Sequence, residues 1–128
     1  MNTITPITSY DNRPSFGAFT RPSQSIMSHF SEVINGLTPE NRAIFVSAVD
    51  KYVKKAESCP VPIGHSLLQG YPAHYAPIVD GQKILTNKEH QMEANYILDV
   101  MDRAVQKAEN KADADKNILA LQKIFKIQ

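Results

Sequence analysis

A chain of 128 residues has room for one domain, and folding would remove roughly two-thirds of its unfolded surface from water. Its apolar fraction of 42% is that of a globule and argues against wholesale disorder. A formal net charge of +1 disfavours dedicated nucleic-acid binding, which needs a strongly basic face or a domain pI above about 9, and the lone Cys59 permits no internal disulfide.

Residues 1–25 contain eight Ser or Thr, three Pro and only one acidic residue, Asp11. No period of 3.6 or 2 persists, so this segment reads as an irregular arm, with Phe16 and Phe19 as anchors where it folds back. A Ser/Thr/Pro/Asn-rich, acid-poor start beginning Met1-Asn2-Thr3-Ile4 resembles the export signal of bacterial type III secretion effectors. The resemblance is compositional and covers about a fifth of the chain. It implies a protein that is cytoplasmic as made and then exported to a host cell. The arm lacks the apolar core of a cleavable signal peptide, and no run approaches the roughly 20 apolar residues of a membrane span. Asn2 stands where N-myristoylation needs glycine.

Residues 26–128 form the predicted helical domain. A first helix starts near Ser23 or Ser25, carries Ile26, Met27, Phe30, Val33 and Ile34 at helical spacing, and stops at Gly36 in a left-handed cap. For the second helix Thr38 is the N-cap, Pro39 the first helical residue, and Glu40 complements the positive end of the dipole. Phe45, Ala48, Val49, Tyr52, Val53 and Ala56 make its apolar face, and Lys51, Lys54 and Lys55 a small basic one. Those lysines suit an acidic partner or weak contact with an anionic membrane, each contributing about 1 kcal/mol near such a surface.

Residues 58–85 hold four of the chain's prolines and three of its glycines, with Asp80 and Lys83 the only formal charges. A surface loop would carry more charge, so this central loop is expected to pack on the bundle through Val61, Ile63, Leu67, Leu68 and Tyr75. Asp80-Gly81 suits a type I′ turn and predicts one short β-hairpin over 78–84. Leu67, Leu68, Tyr71, His74 and Tyr75 form a low-charge aromatic patch, the composition that interface centres favour.

Neither Gly nor Pro occurs after residue 82. Thr86-Asn87-Lys88-Glu89 has the form of a capping box and predicts that a third helix starts there. Its stripe runs through Glu93, Ile97, Val100, Met101, Ala104 and Ala108, widened by Met92, Tyr96 and Val105. A polar stretch over 109–117 then interrupts the stripe before Ile118, Leu121, Ile124 and Phe125 resume it, with Leu119 and Ile127 spreading the apolar surface. Two geometries fit: a helical hairpin turning at 110–113, which the polar break favours, or one rod over 86–127, which would favour a dimer. The expected fold is mostly α: a bundle of about four helices with helices two, three and four supplying the core.

Catalytic signatures are sparse. Cys59, with His65 and His74 downstream, is the one candidate nucleophile–base set, but cysteine-hydrolase signatures around it are missing. Gly64-His65-Ser66 lacks the second glycine of a nucleophile elbow, because Leu68 occupies its place. Glu89, His90 and Glu93 share a helix without the matching carboxylates that a di-metal bundle site needs. No phosphate-binding glycine loop occurs, so no cofactor or metal is expected. Three functional readings are open: a non-enzymatic protein-interaction domain, a secreted effector or its targeting domain, docking through the 58–85 loop or an exposed helix face; a small cysteine-dependent enzyme using Cys59 with His65 or His74; and a membrane-surface bundle using Lys51, Lys54 and Lys55.

Overall fold

A computed structural model of the chain describes residues 18–70 and 72–126. Residues 1–17, and with them the expected anchor Phe16, lie outside the described residues, as do Tyr71, Ile127 and Gln128. The Ser23 side chain accepts from the Ile26 amide and starts α1 (Gln24–Asn35). The helix ends at Gly36 with φ −81°, a right-handed turn in place of the expected left-handed cap. Three residues later α2 (Pro39–Lys55) begins as predicted, with the Thr38 hydroxyl accepting from the Asn41 amide. Arg42 closes the junction by donating from Nε to the carbonyls of Ile34 (3.1 Å) and Leu37 (3.0 Å). The Ile34 carbonyl belongs to the last turn of α1 and that of Leu37 to the connection, so one side chain ties the helix end to the turn that follows it.

The central segment forms five short strands where one hairpin was expected: β1 (Ile63–Gly64), β2 (Leu67–Leu68), β3 (His74–Tyr75), β4 (Ile78–Val79) and β5 (Gln82–Lys83). The antiparallel pairs Ile63–Val79, Gly64–Ile78, Leu67–Tyr75 and Leu68–His74 share one register, and between them Ser66 and Ala76 exchange both backbone hydrogen bonds. The two ladders are therefore a single ribbon of 63–68 against 74–79. Pro77 fits within it because its backbone faces the third strand, where its carbonyl accepts from Ile84 at 2.8 Å. Asp80 (φ 53°) and Gly81 (φ 77°) make the predicted tight turn from β4 to β5. On the other edge Phe19 lies parallel to Ile63, with Thr20 donating to the Ile63 carbonyl and Ile63 to that of Ala18.

One helix follows, α3 (Glu93–Phe125), and this overturns the four-helix bundle. Among the described residues, three helices and a small antiparallel β layer replace it. The Thr86 capping box does not form: Thr86 Oγ1 accepts from the Lys88 amide, and its side chain also bonds Asp99. Tertiary partners thus take the hydroxyl that would have capped a helix. Residues 84–92 remain non-helical, and Met92 caps α3 without a side-chain hydrogen bond. Nor does the chain turn at 110–113. The polar stretch stays helical because no breaker interrupts it, and a Lys111–Asp115 pair one turn apart (3.1 Å) supports it.

The core forms on the first half of α3. Ala94, Ile97, Val100, Met101, Ala104, Val105 and Ala108 are buried, facing Ile26 of α1, Phe45 of α2, and Ile63, Tyr75 and Val79 of the β layer. Phe19, expected to anchor the arm, is part of this core at 3% exposure. Burial stops at Ala108. Ile118, Leu119, Leu121, Ile124 and Phe125 are 53–69% exposed, so the predicted contribution of a fourth helix to the core is absent. Truncating the two halves of α3 should separate them. Ile97→Ala should cost about 2–5 kcal/mol in urea unfolding, whereas Leu119→Ala should stay within about 0.5 kcal/mol of wild type.

Candidate functional site

The proposed cysteine–histidine set is not assembled. The Cys59 thiol makes a long 4.0 Å contact with the Val61 carbonyl, and among the described residues no imidazole bonds its sulfur. His65 spends both nitrogens elsewhere, on the Thr20 carbonyl (Nε2, 2.7 Å) and the Tyr75 hydroxyl (Nδ1, 2.8 Å). A carbonyl can only accept, so Nε2 carries the hydrogen and Nδ1 receives the Tyr75 O–H. Burial lowers the His65 pKa from its ordinary 6.5, against the opposing effect of the Thr20 hydrogen bond, and burial raises that of the Tyr75 phenol. Both shifts favour this neutral arrangement.

His74 belongs to a different cluster. Glu93, in the first turn of α3, accepts from His74 Nδ1 (2.6 Å), from His29 Nε2 on α1 (2.9 Å) and from the Tyr75 amide (3.0 Å). Tyr96 stacks on His74 with ring centroids 4.5 Å apart. Further along the helix, Asp99 bonds His90 (3.2 Å) and Arg103 (3.1 Å). Burial works to raise the Asp99 pKa, but hydrogen bonds from Thr86, His90 and Arg103 outweigh it and the carboxyl lies below its usual range. Every histidine in the chain is thus bound to another element or side chain. No group of three or more His, Cys, Asp or Glu among the described residues could hold a metal ion.

The structure also divides the expected docking patch. Tyr75 is fully buried beneath the ribbon and inaccessible to a partner, and Tyr71 lies outside the described residues. Leu67, Leu68 and His74 are half-buried. Lys51, Lys54 and Lys55 are on α2, Lys54 paired to Asp50 at 3.2 Å and all three exposed. No helix among the described residues is long and apolar enough to cross a membrane.

A second apolar surface is a groove of about 390 Å³ between α1 and α2. Phe30, Phe45 and Met101 form part of its lining, Met27 and Val46 stand on its exposed side, and Phe19 closes it beside His65, on which it stacks at 6.2 Å. Among the described residues, Asp50 and His65 are its only titratable lining residues. The sequence pattern marks the apolar faces of both helices but does not say which of them stays open. The signal that they exceed the core is the breadth of the α2 face, which extends to the exposed Val46. Comparisons with protein-family models, curated proteins and solved structures return no match to this chain.

Two measurements check these networks. Glu93→Gln sets an amide donor against donors, and should cost about 1–3 kcal/mol in denaturant unfolding at pH 7. For His65 the folded pKa lies below the unfolded value, so its stabilisation is complete above pH 6.5 and lost as pH falls through the folded pKa. Wild type should therefore lose more stability than His65→Gln between about pH 7 and about pH 5, with amide exchange at Thr20 and Ile63 accelerating in the same window.

Proposed function

We propose that this chain is a non-enzymatic protein-interaction domain whose partner seats an apolar helix in the α1–α2 groove. The open groove of about 390 Å³ carries this reading. Its lining is almost wholly aliphatic and aromatic, and its two titratable members are engaged, His65 with Thr20 and Tyr75, and Asp50 with Lys54. Such a surface gains affinity by removing apolar area from water, at about 25 cal/mol per Å². Met27, 49% exposed, is a side chain that adapts to varied partner shapes. Two helices joined by a short turn present ridges with a groove between them, and a third helix with apolar residues at i, i+3, i+4 and i+7 fits there.

The groove replaces the 58–85 patch as the contact surface in this reading, because Tyr75 cannot reach a partner. The resemblance of residues 1–25 to type III export signals supports placing the domain in a secreted effector. The cysteine-dependent alternative draws no support from Cys59, whose sulfur has no imidazole partner among the described residues.

Charge placed in the groove tests the proposal. Full-length protein should capture a stoichiometric partner from a eukaryotic lysate, and Val46→Glu and Met27→Glu should each abolish capture while leaving the circular dichroism spectrum unchanged. Capture that survives both substitutions overturns the groove as the site. For the export component, residues 1–25 fused to a reporter should be secreted by a type III-competent strain and retained by a strain lacking the apparatus.

A further inference from the structure

His65 lines the α1–α2 groove and also clamps the segment that closes it. Its Nε2–H donates to the Thr20 carbonyl at 2.7 Å, and its Nδ1 accepts the Tyr75 hydroxyl at 2.8 Å. Phe19, one residue before Thr20, stacks on the imidazole and is 3% exposed. Each hydrogen of this neutral arrangement has an acceptor. A second proton on the ring destroys that match, because Nδ1–H and the phenol O–H then both point into the space between one nitrogen and one oxygen. One of them has to turn away. Tyr75 is 0% exposed, and its hydroxyl has no other hydrogen-bond partner among the described residues, so the phenol hydrogen has nowhere to turn. The half-buried imidazole can swing outward to water instead, which gives up Thr20 and Tyr75 together.

We propose that His65 is a pH-sensitive latch on the groove, holding it in shape for its apolar partner at neutral pH and releasing the partner in acid. The inference rests on the groove as the partner site and adds its regulation. The groups around the ring agree. The incoming segment offers the Thr20 carbonyl and β3 the Tyr75 phenol, while α1 and α3 bring Met27, Phe30, Ile34 and Met101 to the same groove, none of them titratable. Among the described residues Asp50 of α2 is the one carboxylate lining the groove, and Lys54 pairs with it at 3.2 Å. Arg21, exposed and next to Thr20 in the chain, adds positive charge. The groove thus supplies no uncommitted carboxylate to stabilise an imidazolium. Burial also holds the His65 pKa below its ordinary 6.5, which keeps the latch closed at neutral pH. An apolar helix seated in the groove removes further water from the ring, so partner binding and protonation oppose one another by linkage.

Nile red, a neutral apolar dye, serves as the probe on the full chain. At about pH 7.4 its binding should fall in Val46→Glu; binding that ignores this substitution removes the groove reading and the latch with it. The Val46-dependent binding should weaken by up to about tenfold for each pH unit below the His65 midpoint. His65→Gln, whose amide offers a donor and an acceptor at every pH, should abolish that dependence. Val46-dependent affinity that is equal at about pH 7.4 and about pH 5, or that falls as steeply in His65→Gln, overturns the latch and leaves the groove reading standing. A measurement on the wild type alone decides the matter if His65→Gln does not fold. In an NMR titration, the Met27 methyl and the Thr20 and Ile63 amides should shift with the midpoint of the His65 ring. Tyr75→Phe, which removes the donor to the neutral ring, should move that midpoint upward. Groove signals that follow the midpoint of His29, His74 or His90 instead overturn the proposal.

Discussion

The carboxylate of Glu93 joins three elements of the fold by hydrogen bonds. It takes one donor from α1 (His29), one side-chain and one backbone donor from the ribbon (His74 and Tyr75), and sits in the first turn of α3. A half-buried carboxylate is costly without partners, and three donors together with the positive helix end offset that cost. The arrangement also specifies geometry, because apolar contacts tolerate sliding whereas three converging hydrogen bonds do not. The start of α3 is accordingly fixed by tertiary bonds rather than by a local cap. Thr86, earlier in the chain, has the local signal, and its hydroxyl serves Asp99 and the Lys88 amide instead.

His65 plays the corresponding part at the opposite edge of the ribbon. By donating to Thr20 and accepting from Tyr75, it ties the segment entering from the arm to a fully buried aromatic. That segment carries Phe19, which belongs to the core and also lines the groove. The shape of the groove therefore depends on a hydrogen-bond pair outside α1 and α2. Phe30 extends the linkage, since its ring meets Tyr75 edge-on at 5.0 Å and also lines the groove. One buried tyrosine thus contacts both the histidine bonded to Thr20 and a phenylalanine that lines the groove.

Elements specified by local chemistry are legible in the sequence. Ser23, Thr38 and Pro39 start their helices where the capping rules place them, and Asp80-Gly81 turns the chain with positive φ at both residues. The buried stripe from Ile97 to Ala108 follows from its period. What escapes is determined by distant partners. Each strand of the ribbon is too short for its period to register, and Pro77 hides a continuous pairing whose tolerance depends on which neighbour its backbone faces. Glu93 stands among apolar residues as one more stripe member, and nothing local marks the histidines 64 residues before it and 19 residues before it as its partners. Tyr75 reads as an interface aromatic because composition alone cannot separate a buried from an exposed ring. The turn expected at 110–113 shows a further limit: loss of an apolar stripe signals that a helix leaves the core, which is a different event from the helix ending.

That distinction bears on why α3 continues at all. A helical segment gains little stability in water from propensity alone, and most of it comes from packing an apolar face. Residues 109–117 remain helical through their continuity with the buried half and through the Lys111–Asp115 pair. Beyond them, a purely solvated extension would be served by polar residues, as at Asp113, Lys116 and Asn117. Instead Ile118, Leu121, Ile124 and Phe125 return, on a line that cannot reach the parent core because the helix has already left it. Among the described residues no side chain covers this row. The polar stretch is then the spacer that carries these apolar residues clear of the body, so that one uninterrupted helix is core along its first half and exposed along its second.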